Sequence, residues 1–299
     1  MQVGFIGTGS IGTPMALNLN EKYPLIVHDL TREKTTALLE KGATWAASPK
    51  ELAAKCDVIH TCLPGPKEAT QVVLGEDGII AGVRKGSVYI DHTTNSPELV
   101  REISAKLNQQ GVEMLDAPVS GGTEGARIKQ LLLMVGGKES TYRKYENILS
   151  SMGDVIYTGN IGNGMISKIT HNCACLCLAV SMMENWSVAI KAGLAPEKIV
   201  EVFQKAAIGR NSDIHMRFPN TLFQGNFDPV FALHIAKKDI TLATDLAKSY
   251  GVPVRVSELV LQEYIEAVNR GWGKFDSSIA LKLQEERSGV EVRLPKNSK

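Results

Sequence analysis

An excess of charge of either sign is missing from this chain. Its 299 residues carry 33 Lys and Arg against 32 Asp and Glu, a formal net charge of +1. Nothing in that balance suggests a polyanion-binding surface, so nucleic acid is not an expected partner. Long apolar runs are missing too. The stretch Cys173–Met183 is far shorter than the roughly 20 residues a bilayer crossing needs, and Lys168, His171 and Glu184 flank it. A membrane partner is not expected. The opening residues "MQVGFIG" have no basic n-region and no cleavage site before the first strand-like pattern. Cysteine is sparse and odd in number, five in all. Free thiols in a reducing, cytoplasmic setting are the simplest reading. Cys173, Cys175 and Cys177 cluster, but each C-x-C step on a helix turns the side chain by roughly 200°, so the three are not expected to converge on a metal.

What is present falls into two textures. In the first half, apolar runs alternate with helical patterns. The runs are "QVGFI", "PLIVHD", "CDVIHTCLP", "GSVYIDHTT", "GVEMLDAPVS", "QLLLMVGG" and "GDVIYTG". Such alternation implies a buried, mostly parallel sheet in a doubly wound α/β domain, expected over residues 1–163. From residue 164 to 299 the expectation is an all-α domain, with helices near 165–193, 196–207, 232–250, 255–270 and 276–287. A long helix would join the two.

Gly7, Gly9 and Gly12 form G-x-G-x-x-G, with Ser10 and Ile11 inside the loop. The pattern alone is weak, but here it follows a strand and opens a helix in a first βαβ unit. The first glycine permits a tight turn, the second lets a pyrophosphate approach, and the third allows close helix–strand packing. Asp29 ends the second strand, where a carboxylate takes the adenosine ribose hydroxyls and repels a 2′-phosphate. NAD is therefore expected over NADP, although Arg32 nearby could meet a phosphate. Ligands in such sheets bind beyond the carboxyl ends of the strands. Those ends carry "LPG" with Leu63 and Pro64, "DHTTNSP" with Thr94, and "DAPVSGG" with Ser120, Gly121 and Gly122, a candidate anion-binding nest.

With these motifs in order, the chain resembles the β-hydroxyacid dehydrogenase family, of which 3-hydroxyisobutyrate dehydrogenase is the best-known member. The likeness covers nearly the whole sequence. It rests on "GFIGTGSIGTPMALNL", "DHTTNSP", "DAPVSGGTEGA", "GNGMISKITHN" and "FALHIAKKDITLATDLA". The resemblance implies that Lys168 is catalytic and that Asn172 helps hold substrate. It implies that Ser120, Gly121 and Gly122 bind the substrate carboxylate. It implies that Leu63, Pro64, Thr94, Phe231 and Lys238 contact the cofactor. It further implies a Rossmann-type domain joined to a helical one, and a homodimer or homotetramer. Three departures stand out: His171 replaces the first asparagine of an N-N pair, Thr93 replaces a serine, and Lys129-Gln130 replaces a Gly-Thr turn.

The segment "GNGMISKITHNCACLCLAVSMMENW" places a lone lysine, Lys168, near the start of a largely apolar helix. A cleft with apolar walls, from Phe231, Met165 and the cofactor, would disfavour the ammonium and make the amine a usable base. Asn172 follows on the same helical face, and His171 is a rival base. In the break between later helices, Arg210 and Asn211, with His215 and Arg217, are candidates to hold a second polar or anionic group. The expected activity is hydride transfer between NAD(H) and a small anionic 3-hydroxyacid or its semialdehyde, with Lys168 as general acid/base. Two other classes remain: imine reduction on the same scaffold, which Lys168 argues against, and a non-catalytic dinucleotide-binding module.

Overall fold

The computed structural model describes residues 1–191, 194–205, 217–249 and 255–294. The chain forms two compact units, Met1–Thr170 and His171–Lys299. The first holds nine strands: β1 (Val3–Ile6), β2 (Leu25–His28), β3 (Thr44–Trp45), β4 (Val58–Thr61), β5 (Val88–Asp91), β6 (Glu113–Asp116), β7 (Val119–Ser120), β8 (Leu131–Gly137) and β9 (Gly153–Gly159). Its helices are α1 (Gly12–Asn20), α2 (Thr36–Leu39), α3 (Pro49–Lys55), α4 (Pro66–Leu74), α5 (Pro97–Gln109), α6 (Gly122–Arg127) and α7 (Glu139–Leu149).

The sheet runs β3-β2-β1-β4-β5-β6-β8-β7, and β9 pairs with β8. Strands β1, β4 and β5 are buried along their whole length. That is why they read as unbroken apolar runs rather than alternating ones. Order reverses between β1 and β4, the switch point where an open α/β sheet leaves a crevice at its carboxyl edge. The glycine loop after β1 and the "LPG" loop after β4 both end there.

One strand escapes the sequence pattern, and one apolar run is split in two. β3 has two residues, too few to show a period. β6 and β7 share one antiparallel register with β8, from Leu115 opposite Gly137 to Ser120 opposite Leu132. They are one strand interrupted at Ala117-Pro118, where proline has no N–H for the ladder. A side-chain box marks the N-terminus of one helix. Ser48 accepts from the Glu51 amide at 3.1 Å while the Glu51 carboxylate accepts from the Ala47 amide at 2.7 Å, an N-terminal box that starts α3.

Helix α8 (Asn163–Lys191) begins in the first unit and continues in the second, so the units divide inside a helix. α9 (Pro196–Lys205), α10 (Leu233–Ser249), α11 (Arg255–Asn269) and α12 (Leu281–Ser288) follow. Among the described residues this unit has only one β-type pairing, an isolated bridge between Ala232 and Asp276. Its core gathers Leu176, Phe218, Phe223, Ile240, Val260 and Tyr264. Among the described residues no helix is long and apolar enough to cross a membrane.

Candidate active site

The three loop glycines differ in what surrounds them. A Cβ on Gly7 would run into the carbonyl of Cys62, and one on Gly12 into the carbonyl of Gly7. Those two glycines serve the protein's own packing. A Cβ on Gly9 would meet no protein atom within 4 Å. Gly9 therefore borders open space at the switch point, and a dinucleotide pyrophosphate fits there. Ser10 is exposed and Ile11 half-buried beside it.

Asp29 closes this corner. Its Oδ2 accepts from the Thr8 amide at 2.7 Å and the Thr8 hydroxyl at 3.1 Å, and Oδ1 accepts from the Leu30 amide at 2.7 Å. Lys34 lies 3.4 Å from Oδ1. Burial pushes the carboxyl pKa up, but the Thr8 and Leu30 donors and the Lys34 charge outweigh it, and the group sits below the usual range. A carboxylate has about four acceptor positions, and these contacts use them. Ribose hydroxyls would take over the two longest, those of the Thr8 hydroxyl and Lys34. Lys34 is a cation that sequence reading overlooked. Arg32, at the start of a short 3-10 turn, is exposed.

Behind the loops lies a buried polar network. Asp91, at the end of β5, accepts from the Thr61 hydroxyl at 2.9 Å, the Thr93 amide at 3.0 Å and the Asn95 side-chain amide at 3.1 Å. Tyr89 and Thr61 share a further bond at 2.7 Å. Thr93 in turn accepts the Leu63 amide at 3.0 Å. The serine-to-threonine departure keeps the hydroxyl that anchors the loop of Leu63 and Pro64. Beside it, His60 and His92 stack with centroids 5.2 Å apart and share a bond at 2.9 Å. His92 Nδ1 lies 2.7 Å from the Ala117 carbonyl, so Nδ1 carries the proton, Nε2 accepts, and His60 Nδ1 donates to it. Burial drives His92 down to about 4 and His60 well below its ordinary value, so both rings stay neutral. The pair ties the end of β4 to the "DAPVSGG" segment.

Asp116 is the register partner of Asp91 on β6. It is fully buried and accepts the amides of Gly162 and Met165, both at 2.8 Å. It thus pins the first turn of α8. Desolvation raises its pKa to about 6 despite these donors. There is no room for another side chain here, since a Cβ on Gly136 or Gly164 would strike the Asp116 carboxylate. One turn after the pinned amides stands Lys168, 9% exposed. Met165, expected as an apolar wall, instead packs in the first unit's core, and its sulfur accepts from the Asn95 amide at 3.4 Å. Its side chain is spent on holding the Asn95 loop.

The Ser120 loop turns sharply. Gly121 and Gly122 both have positive φ, +129° and +63°, where a side chain would be strained, and a Cβ on Gly122 would meet nothing within 4 Å. At Gly122 the loop borders open space. Downstream, Lys129 has φ +59° and is the one non-glycine residue with positive φ among those described. The Gly-Thr turn that Lys129-Gln130 replaces is a position where the backbone itself favours glycine.

In the second unit, Asn172 donates to Asp239 at 2.5 Å, and Lys238 pairs with the other Asp239 oxygen at 3.0 Å. Asp239, 2% exposed, is a residue that sequence reasoning passed over. Phe231 is half-buried against this unit's core, with its amide on Asp276 at 2.9 Å. His171 is exposed, and its Nε2 lies 3.5 Å from the Cys175 sulfur. Arg210, Asn211 and His215 lie outside the described residues. Arg217 donates to Ser277 at 3.0 Å and covers the Phe218 ring. The expectation that the three cysteines do not converge on a metal leaves pairs out of account, and one pair meets. Two C-x-C steps return to the same helix face, and the sulfurs of Cys173 and Cys177 lie 4.0 Å apart. Among the described residues no cluster of three or more metal-ligating side chains forms.

A family model of the NAD binding domain of 6-phosphogluconate dehydrogenase matches residues 2–167, and one described as NAD-binding of NADP-dependent 3-hydroxyisobutyrate dehydrogenase matches residues 162–284. The chain is 31% identical over 294 residues to 2-(hydroxymethyl)glutarate dehydrogenase of Eubacterium barkeri, covering 98% of this chain and 97% of that one. It is 36% identical over 296 residues to the mitochondrial 3-hydroxyisobutyrate dehydrogenase of Mus musculus, covering 95% and 87%. Among solved structures, Mycobacterium tuberculosis 3-hydroxyisobutyrate dehydrogenase with L-serine superposes with a TM-score of 0.84 at 26% identity, covering 95% of this chain and 98% of that one.

Proposed function

The chain belongs to the 3-hydroxyisobutyrate dehydrogenase-like β-hydroxyacid dehydrogenases, NAD(P)-dependent enzymes, and from that premise we propose that it interconverts a small anionic 3-hydroxyacid and its semialdehyde, with Lys168 as general acid/base. The observation that carries this reading is Lys168 itself, a lysine 9% exposed, one turn beyond a helix start held by two bonds to a buried carboxylate. The nicotinamide cofactor supplies or accepts the hydride. Lys168 takes the hydroxyl proton during oxidation and returns it to the carbonyl oxygen during reduction. Ser120, Gly121 and Gly122 offer the N–H groups for the substrate's carboxylate. Asn172 is oriented by Asp239 to hold substrate, and Lys238 and Phe231 serve the nicotinamide end. Gly9, Ser10 and Ile11 border the pyrophosphate, with Gly7 and Gly12 packing the turn that presents them, Asp29 takes the ribose, and Leu63, Pro64 and Thr94 contact the cofactor. NAD is the preferred cofactor because Asp29 is ionised where a 2′-phosphate would sit, with Lys34 and Arg32 as the opposing charges.

The test follows NAD(P)H absorbance with succinic, methylmalonate and tartronate semialdehydes, sulfolactaldehyde and neutral propanal. The acids are expected to exceed propanal in kcat/KM, and NADH to exceed NADPH. Lys168→Ala is expected to lower kcat by about 10²–10⁴ while NADH still binds. Asp29→Ala is expected to relax the NADH preference. Near-normal turnover in the Lys168 variant, with His171→Ala inactive, would overturn the assignment. So would turnover of cyclic imines but of no aldehyde.

A further inference from the structure

Cys173 and Cys177 lie half-buried on one face of α8, with Sγ atoms 4.0 Å apart. Ser257 of α11 stands against both, its Oγ 3.0 Å from Cys173 Sγ and 3.4 Å from Cys177 Sγ. Ser257 is itself buried, so its hydroxyl is committed to these sulfurs rather than to water. The reaction described above uses none of the three groups. We propose that Cys173 and Cys177 form a redox-active dithiol that reduces a hydroperoxide and closes to a disulfide within α8.

The asymmetry of the pair supplies distinct roles. Hydrogen bonds from Cys177 and then Ser257 bring the Cys173 thiol down to about 6, while the same Cys173–Cys177 contact and burial push Cys177 up. The lower thiol of the pair, Cys173, is the attacking cysteine and Cys177 the resolving one. Cys56 is a useful contrast. It is fully buried, and desolvation raises it to about 12, which leaves it unreactive.

The chemistry balances with a hydroperoxide as oxidant. The Cys173 thiolate attacks the terminal peroxide oxygen, the O–O bond breaks, and the alcohol leaves after taking a proton. Cys173 is then a sulfenic acid. The Cys177 sulfur attacks the Cys173 sulfur, the S–O bond breaks, and hydroxide leaves as water with the Cys177 proton. Two thiols lose two electrons, and the peroxide gains them. Closure needs the sulfurs to approach from 4.0 Å to about 2.05 Å. Cβ atoms at i, i+4 are roughly 5–6 Å apart on a helix, against about 3.5–4.5 Å in a disulfide. The helical turn must draw in, so the bond is strained and readily reduced.

The experiment treats the full-length protein with a few equivalents of hydrogen peroxide and reads intact mass, free thiols and a peptide map. Two of the five thiols are expected to disappear, with loss of two hydrogens and a Cys173–Cys177 cross-link that dithiothreitol removes. Cys177→Ser is expected to trap a sulfenic acid on Cys173, captured by dimedone, and Cys175→Ser to change nothing. A sulfinic acid on Cys173 with Cys177 still a thiol in the wild type would overturn the proposal. So would survival of both thiols while Cys62 or Cys175 is oxidised. The wild-type map alone decides between these outcomes, whatever the variants' stability, and independently of catalysis.

Discussion

Replacing Asp116 with asparagine removes a buried charge and keeps its shape. The carboxyl titrates near 6 in the folded protein, against an ordinary 3.8, because desolvation outweighs the Gly162 and Met165 amides. A shift of about two units is worth about 3 kcal/mol between the two protonation states. The folded pKa lies above the unfolded one, so the folded state binds the proton first as pH falls. The stabilisation is fully present below about pH 4 and is lost as pH rises through about 6. Asparagine cannot titrate, so this contribution vanishes. It also turns an NH2 toward one of the two amides, a pH-independent cost of about 1–3 kcal/mol. His60 and His92 act in the opposite sense, since their depressed values stabilise the fold above about 6.5 and are lost toward 4. Both proteins carry them, so they cancel in the difference. The measurement is urea unfolding followed by circular dichroism at pH 7.5 and 4.5. The advantage of wild type over Asp116→Asn should be larger at pH 4.5 by about 2 kcal/mol. A difference equal at the two pH values would refute the idea that a buried, titrating carboxylate holds the start of α8.

Gly9→Ala is expected to leave thermal stability unchanged, because its Cβ meets nothing, yet to weaken NADH binding by about tenfold or more. Gly12→Ala should instead lower stability by about 1–3 kcal/mol; fluorescence titration and a melting curve on each variant separate the two, and unimpaired NADH binding by Gly9→Ala would remove Gly9 from the cofactor cradle. Lys129→Gly should stabilise the first unit by on the order of 0.5 kcal/mol, the relief of a left-handed backbone at φ +59° less the added chain entropy; a clear loss of stability in denaturant would refute it. A homodimer or homotetramer is expected from exposed apolar side chains on the second unit, among them Val202 and Leu259 at 56% and 67% exposed; light scattering that returns 32.4 kDa would contradict it.

What was legible in the sequence was whatever is local along the chain. The glycine loop, Asp29 and the position of Lys168 on its helix each depend on spacings within one βα unit or one helix. The helical second half was legible from its periodicity. What could not be read depends on strand register. Thr61, Asp91 and Asn95 meet only because β4 and β5 align Thr61 with Asp91, and Asp116 meets the start of α8 across 46 and 49 residues. No short-range pattern marks His60 and His92, 32 residues apart, as partners. Met165 was misread because its face of the helix is set by the Asn95 loop, not by Lys168 three positions on. The Cys173–Cys177 contact was available from the helical period and was missed by considering single steps only.

The division between the two units inside α8 has a consequence for exchanging parts between relatives. Most two-domain chains offer a loop in which a chimera can be joined with tolerance for a residue more or less. Here the joint is helical, and each residue inserted between Lys168 and Asn172 would turn the second about 100° away from the first and shift it about 1.5 Å. A chimera spliced in this region must therefore conserve residue number as strictly as a reading frame. A three- or four-residue insertion, close to a whole turn, should be tolerated better than an insertion of one or two.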